Sequence, residues 1–232
     1  ANNFRSGIAA TTGGHTYYRM VPATLFAEHP EYFALIDGKR RANVAPHLTE
    51  PCLTNPAVLD IVTKNVLEKI KANPDKTNVS VSQNDGGYYC RCDKCTAIND
   101  REGTTMGALL TFVNAVADRV AVEHPDIKVG TLSYHYSRHP PKTIKLRDNV
   151  MIQLASIECS VIQPISDSNS KMNADFCRDL RRWGELCDHI NIWNYNTNFM
   201  NYLLPCPNLR VIEPNIRLFI ANNVRGIFMQ AA

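Results

Sequence analysis

The 232-residue sequence predicts an α/β protein with the fold of a (β/α)8 TIM-type barrel, present as a partial barrel of about five to six β/α units. From residue 55 onward, helix and strand patterns alternate with short connections, which favours a parallel sheet with right-handed crossovers. Every predicted strand ends in polar or aromatic residues, as barrel strands do where catalytic loops begin. The sequence lacks the glycine-rich phosphate turn of an open doubly wound sheet. Because five strands cannot close an eight-stranded barrel, we expect the missing barrel strands to come from the rest of its own chain.

The first helix of this series begins at Asn55-Pro56, where the asparagine caps the N-terminus and the proline fixes the first turn. An apolar face follows at helical spacing, and Asn73-Pro74 ends the helix. The next segment, 79–82, alternates valine and serine with the period of a strand. The later elements are helices at 105–123, at 173–187 and from Pro214, and strands at 127–136, 150–158, 190–195 and 226–229.

Composition limits the class of protein. We expect a single domain over residues 1–232, a fragment of a larger protein, with a loop-rich first segment at 1–54 and β/α repeats at 55–232. The net charge of +3 is small and the basic residues form no stripe, which argues against nucleic acid as a partner. No apolar run approaches the length of a transmembrane helix. Because Ala1-Asn2-Asn3 is not an initiator sequence, we expect a mature form or an excised piece.

Two carboxylates, Asp85 and Glu158, stand at the ends of predicted strands. A glycosidase needs such a pair, one to protonate the leaving oxygen and one to attack or to activate water. The alternative for Asp85 is that it caps the turn at Gly86-Gly87, as aspartate commonly does. A carboxylate at position 158 must find a partner or face a pocket, because it lies between apolar neighbours. We predict that both acids are catalytic.

Aromatic and amide side chains accompany these acids. A carbohydrate site uses flat rings for the apolar faces of sugars and amide or imidazole groups for their hydroxyls. The alternative is that many of these rings fill the core and that His15, after Gly13-Gly14, lies in an ordinary loop. The predicted substrate-binding residues are His15, Asn84, Tyr134, His135, Tyr136, Trp193, Asn194 and Tyr195.

A cluster of cysteines follows the strand at 79–82. In the first interpretation, zinc is bound by Cys90, Cys92 and Cys95 with a fourth ligand, which is Cys52 or a histidine. In the second, two of them form a disulfide, and in the third all are free. A thiol-rich set favours a structural role over a catalytic one, so we expect no cofactor for catalysis and a structural zinc ion or disulfide that fixes the loop after Asp85.

The sequence resembles a bacterial family called domain of unknown function 4838, which is described as glycoside-hydrolase-like. The resemblance spans nearly the whole chain and is carried by seven blocks: GGHTYYRMVP, HPEYFALIDGKR, CLTNPAVLDIV, VSVSQNDGGYYCRCDKC, ASIECS, IWNYNTNFMNYLLPCPNL and VRGIFMQ. It implies a barrel similar to those of family 20 and family 67 glycosidases, a carbohydrate partner and an extracytoplasmic bacterial location. By position, Asp85 of SQNDGG and Glu158 of SIECS match the strand-end acids of the family.

One position departs from the pattern that the resemblance implies. Met229 stands where relatives are expected to carry a glutamate, and Ala231 replaces an expected glycine. The leading hypothesis is therefore a glycoside hydrolase acting on a polysaccharide or glycan through Asp85 and Glu158. The alternative is a non-catalytic carbohydrate-binding or surface-assembly protein on a degenerate barrel. A zinc enzyme using the cysteine cluster is a third, weaker hypothesis.

Overall fold

The computed structural model describes residues 14–42, 45 and 48–230, which form an α/β fold. Its α-helices are α1 (Tyr17–Met20), α2 (Pro56–Lys71), α3 (Asp93–Glu102), α4 (Met106–Glu123), α5 (Lys171–Leu186) and α6 (Leu209–Ala221). Its strands are β1 (Leu35–Ile36), β2 (Lys39–Arg40), β3 (Asn78–Ser80), β4 (Lys128–Ser133), β5 (Val150–Ala155), β6 (Ile190–Tyr195) and β7 (Val224–Gln230). Short 3-10 turns occur at Ala23–Ala27, Pro30–Tyr32 and His135–Ser137.

The long strands form one open sheet in the order β3-β4-β5-β6-β7, and β1 and β2 form a separate antiparallel hairpin. Parallel pairing joins β3 to β4, β5 to β6 and β6 to β7. The prediction of a partial (β/α)8 TIM-type barrel is wrong: the described residues form an open five-stranded sheet with β3 and β7 as its two edges, and no barrel closes on them. Polar residues at strand ends favoured the barrel, but open parallel sheets also place ligand-binding residues at that edge. The open edges are consistent with pairing to further strands.

Local sequence explains most element boundaries. The Asn55 side chain accepts a hydrogen bond from the Ala57 amide at 2.9 Å, which caps α2 where the sequence predicts its start. The helix α3 was not predicted; Cys92 precedes it, and Gly103, at a φ of +68°, ends it in the left-handed conformation that favours glycine. The helix α6 begins five residues before its predicted start and contains Pro214 in its interior.

The chain divides into two compact units. The carboxyl-terminal unit contains Ser133–Pro140 and the described chain from Ile152 onward, and the amino-terminal unit contains the described chain up to Leu132 with Pro141–Met151. In the carboxyl-terminal unit, fully buried Phe176, Leu180 and Trp183 line one face of α5. In the amino-terminal unit, α2 packs against α4. The buried apolar residues of the two helices include Val58, Val62, Val66, Leu110, Val113 and Val116. The predicted extent of a single domain stays a prediction.

Among the described residues, no single helix has both the length and the hydrophobicity needed to cross a membrane. Only α3 and α4 taken together meet that criterion, and a bend of 103° separates them.

Candidate functional site

Four cysteines of the amino-terminal unit converge on one point. Cys52 lies just before α2, Cys90 and Cys92 lie on the segment between β3 and α3, and Cys95 lies in the first turn of α3. Their sulfur atoms all lie within 4.8 Å of one another, and the Sγ atoms of Cys52 and Cys92 are 3.7 Å apart. All four side chains are buried. The set is the one that the sequence predicts, with Cys52 as the fourth member.

The groups around the sulfurs favour the thiolate form. The Leu35 amide donates to Sγ of Cys90 at 3.3 Å, and Nη1 of Arg40 lies 3.6 Å from the same atom. The hydroxyl of Thr54 lies 3.3 Å from Sγ of Cys95. The N-terminus of α3 adds the positive end of a helix dipole. Donors and positive charge of this kind stabilise thiolates and orient metal ligands.

The proton affinities of the four thiols are unequal. The pKa of Cys52 lies well below its usual range because Cys90 and Cys95 hydrogen-bond to its sulfur, an effect that outweighs burial. The same hydrogen bond to Cys52 raises the pKa of Cys90 to about 11. The pKa of Cys95 is also raised, first by its bond to Cys52 and then by its bond to Cys90. Burial alone would raise the pKa of Cys92, but hydrogen bonds from the Cys95 amide and from Thr54 lower it.

No disulfide joins any of the eight cysteines, all of which lie in the described residues. The sulfur separation of 3.7 Å between Cys52 and Cys92 is much longer than a covalent bond of about 2.05 Å. Of the three interpretations, a metal site and free thiols thus fit this structure, and the disulfide does not. A cavity of about 290 Å³ adjoins the cluster and is lined by Glu31, Arg40, Cys52, Thr54, Asn55, Pro56, Cys92, Asp93 and Lys94.

The carboxyl-terminal unit carries aromatic rings at the end of β6. The half-buried rings of Trp193 and Tyr195 are 6.4 Å apart at an interplanar angle of 26°. Phe228 of β7 meets Trp193 edge-on at 4.8 Å, and the indole N–H of Trp193 donates to Oε1 of Gln230 at 2.7 Å. Since Trp193 pairs with Phe228 and Tyr195 with Gln230 across the sheet, these side chains share one face. The hydrogen bond fixes the orientation of the indole ring.

A network of amides starts at Asn194, whose side chain lies on the face of β6 opposite to Trp193 and Tyr195. Asn194 accepts from the hydroxyl of Ser156 at 3.0 Å and donates to Oδ1 of Asn196 at 3.0 Å. The same oxygen of Asn196 accepts from Nδ2 of Asn208 at 2.8 Å. Asn194 is also in contact with Met229, its Nδ2 lying 3.7 Å from the sulfur. The network connects the end of β6 to the segment that precedes α6.

Glu158 is part of a charged cluster within the carboxyl-terminal unit. Its Oε2 lies 3.1 Å from Nη1 of Arg138, whose Nε donates to Oδ2 of Asp179 at 2.8 Å. Asp179 also lies 3.0 Å from Nδ1 of His139. The side chains of Arg138 and Asp179 are 8% and 6% exposed, whereas that of Glu158 is 28% exposed. Glu158 therefore pairs with a buried arginine, while part of its own side chain remains exposed to solvent.

The predicted residues His15, Asn84 and Asp85 lie in the amino-terminal unit. Nδ1 of His15 donates to the Gln83 carbonyl at 2.6 Å, and its Nε2 lies 3.9 Å from Oδ1 of Asp85, whose side chain is 58% exposed. Asn84 is fully buried: its Oδ1 accepts from the Tyr18 amide at 3.0 Å, and its Nδ2 donates to the Thr49 carbonyl. His15 and Asp85 are thus adjacent, while the Asn84 side chain links the backbone at Tyr18 to the backbone at Thr49. Gly13 lies outside the described residues.

Tyr134, His135 and Tyr136 form the turn after β4 in the carboxyl-terminal unit. The rings of Tyr134 and His135 are 5.9 Å apart, and His135 is exposed with a φ of +50°, in the left-handed region. Asp85 lies in the other unit from Glu158 and from this turn.

Comparison with known proteins gives one result for the whole chain. The profile of a family described as Domain of unknown function (DUF4838) matches residues 2–232. The chain belongs to the DUF4838 family. No curated protein matches it.

Sequence reasoning missed three residues of the charged cluster in this DUF4838 domain. Arg138 and His139 follow the strand-end turn directly, and Asp179 lies three residues after Phe176 and four before Trp183 on the buried stripe of α5. An aspartate in the apolar stripe of a helix requires a buried partner, so its spacing was the available signal. Thr54 and Arg40, beside the sulfurs, carry no such signal because they belong to segments with no helical or strand periodicity.

Proposed function

We propose that this DUF4838 domain binds carbohydrate on the aromatic surface formed by Trp193, Tyr195 and Phe228. The observation that carries the proposal is the pair of nearly parallel, half-buried rings of Trp193 and Tyr195 with the indole held by Gln230. A ring that is already oriented loses little conformational entropy when a ligand packs on its face. Flat apolar faces with polar groups beside them match a pyranose, which has apolar C–H faces and hydroxyls at its rim.

Trp193→Ala tests the proposal, with Tyr88→Ala as the matched control. Tyr88 is 44% exposed and lies in the amino-terminal unit, so its removal deletes an exposed ring elsewhere. A glycan array screen followed by titration calorimetry on the best ligand measures binding. We expect Trp193→Ala to weaken affinity about tenfold or more, which corresponds to about 1.4 kcal/mol, and Tyr88→Ala to leave it within about twofold. Absence of any carbohydrate ligand for the wild type would overturn the proposal.

Hydrolysis of a glycosidic bond is the second candidate function. It is favoured by the partial exposure of Glu158 next to a buried arginine, because a carboxylate held this way is oriented and reachable. In this proposal Glu158 is a catalytic carboxylate, and the domain is glycoside-hydrolase-like as the family resemblance implies. Asp85 lies in the other unit, and its catalytic role stays a prediction. Glu158→Gln is then expected to abolish turnover on any glycan that the wild type cleaves. Glu185→Gln, on the exposed face of α5, is the matched control, and full activity of Glu158→Gln would exclude this role.

We propose further that the four-cysteine cluster holds a structural zinc ion. Four thiolates at Zn–S distances of about 2.3 Å place sulfurs about 3.8 Å apart in a tetrahedron, which agrees with the separation of 3.7 Å between Cys52 and Cys92. Because the protein supplies all four ligands, no position is left for substrate, which argues against a zinc enzyme. Metal analysis of the purified wild type is expected to give about one zinc per chain. Cys95→Ser is expected to lose it, whereas Cys206→Ser, outside the cluster, is expected to retain it.

An extracytoplasmic location stays a prediction that rests on the family resemblance. Fractionation of the source cells, with antibody detection of the chain, measures it directly.

A further inference from the structure

Two exposed rings continue the aromatic surface beyond the sheet. Phe199 lies 5.7 Å from Tyr195, and Tyr202 lies 6.1 Å from Phe199, ring centroid to ring centroid. Their exposed fractions are 45% and 59%. With the separation of 6.4 Å between Trp193 and Tyr195, four rings are thus in contact in chain order. Each step is comparable with the length of one sugar unit in an extended chain.

The segment that carries these rings is held by hydrogen bonds. Asn196 and Asn208 bond to each other at 2.8 Å and so close the base of the segment. Within it, the Leu203 amide donates to Oδ1 of Asn201 at 3.0 Å, and the Met200 amide donates to Oδ1 of Asn198 at 3.1 Å. Side-chain to backbone bonds of this kind define tight turns. The rings of Phe199 and Tyr202 are therefore displayed in a defined place and not on a random coil.

We infer that the ligand of this surface is an oligosaccharide that contacts Trp193, Tyr195, Phe199 and Tyr202 in succession, and not a single sugar unit. The inference rests on the proposed carbohydrate-binding function and names its substrate class. The interplanar angle rises from 26° to 58° and then 80° along the four rings. Because successive rings are increasingly far from parallel, a flat chain cannot stack on the faces of all four.

The same segment offers a matched comparison. Met200 and Leu203 are each 94% exposed, and neither belongs to the row of rings. A protein or membrane partner would use these projecting aliphatic tips, because burying them removes the most apolar area from water. A sugar chain running along the rings would depend on Phe199 and Tyr202 instead. Substituting the aliphatic residues and the aromatic residues separately therefore distinguishes a protein or membrane partner from a sugar chain.

The experiment measures affinity for a series of one to six linked units of the best glycan. Affinity of the wild type is expected to rise with length up to four units, the number of rings in the row, and then to level off. Phe199→Ala and Tyr202→Ala are expected to lower affinity for the tetrasaccharide about fivefold or more while leaving the disaccharide within about twofold. Met200→Ala and Leu203→Ala are expected to leave the affinities for the disaccharide and for the tetrasaccharide unchanged. All four side chains are exposed, so the variants should fold, which circular dichroism checks.

The failure of this inference is distinguishable from failure of the proposed function. Equal affinity for the single unit and the tetrasaccharide, with Trp193→Ala still weakening both, would overturn the inference and leave carbohydrate binding intact. A larger loss from Met200→Ala or Leu203→Ala than from Phe199→Ala would overturn it in favour of a protein or membrane partner. A wild type that binds no glycan of any length would overturn both.

Discussion

Nη1 of Arg138 lies 3.1 Å from Oε2 of Glu158, so the predicted catalytic acid shares a guanidinium with a second carboxylate, Asp179. Burial alone would lower the pKa of Arg138, but the charges of Glu158 and Asp179 and the hydrogen bond to Asp179 raise it above its usual value. The arginine thus stays charged in a nearly closed environment. It holds Glu158 on one side and leaves the other side of that carboxylate accessible.

Replacement of Arg138 by alanine is expected to destabilise the protein by about 3–5 kcal/mol, because it leaves the buried Asp179 carboxylate without its cation. Urea denaturation followed by circular dichroism measures the change in the free energy of unfolding. Arg147→Ala is the control, since Arg147 pairs with Asp118 on the surface with both side chains about half exposed. Its loss is expected to cost no more than about 1 kcal/mol. Equal effects of the two variants would show that the Arg138 pair does not stabilise the fold.

Acid stability depends on Glu102, a carboxylate whose side chain is fully buried. Burial alone would raise its pKa, but hydrogen bonds from the Thr143 amide and hydroxyl, from Arg101 and from the Ile144 amide lower it to about 2. The unfolded chain has a glutamate pKa of about 4.3. The folded state therefore binds the proton less readily, and the stabilisation is present above the unfolded pKa and is lost as pH falls toward 2. Its full size is at most about 3 kcal/mol.

Glu102→Gln tests this pH dependence. The wild type is expected to lose unfolding free energy progressively between about pH 5 and pH 2, and the variant is expected to be less stable at pH 7 but to lose less over that range. Unfolding by urea at several pH values measures both curves. Glu123→Gln, in an exposed pair with Lys71, is the control and should follow the wild-type curve. Parallel curves for the wild type and Glu102→Gln would contradict the assignment.

Metal removal is expected to destabilise the amino-terminal unit if the four cysteines hold zinc as proposed. The binding energy of a structural ion is folding energy, because the unfolded chain offers no preformed site. Thermal unfolding after chelation is expected to begin at lower temperature, and added zinc is expected to restore the original curve. Cys95→Ser should resemble the chelated protein and gain nothing from zinc. Cys206→Ser, which lies outside the cluster, should respond to chelation as the wild type does.

The cysteine set could be predicted because its signal is local. Cys92 and Cys95 have the spacing of zinc ligands, and Cys90 lies two residues before Cys92. Cys52 is the nearest other cysteine in the sequence. The sequence does not predict α3, because the cysteine cluster after Asp85 favours a loop, although Gly103 gives the ordinary stop signal of a helix. A helix start there suits the cluster, since its dipole favours thiolates at Cys92 and Cys95.

The barrel could not be judged from the sequence because strand patterns report which residues face a core and not whether the first and last strands pair. Closure depends on strand number and stagger, and these are global properties. The partner of Glu158 was missed for a related reason: Arg138 is 20 residues away from it in the chain, and the two side chains meet only after folding. The alternation of β6, by contrast, places Trp193 and Tyr195 together from sequence alone.

Met229 stands where relatives are expected to carry a glutamate, and Met229→Glu tests whether this difference affects the aromatic surface. Met229 pairs with Asn194 across the sheet, so its side chain lies on the face opposite to Trp193 and Phe228. A glutamate there can accept the hydrogen bond that Asn194 now directs at the sulfur. We expect glycan affinity within about twofold of the wild type and no new turnover, measured by calorimetry and by release of reducing sugar. A gain of hydrolysis would instead show that position 229 supplies a catalytic carboxylate and that this chain has lost it.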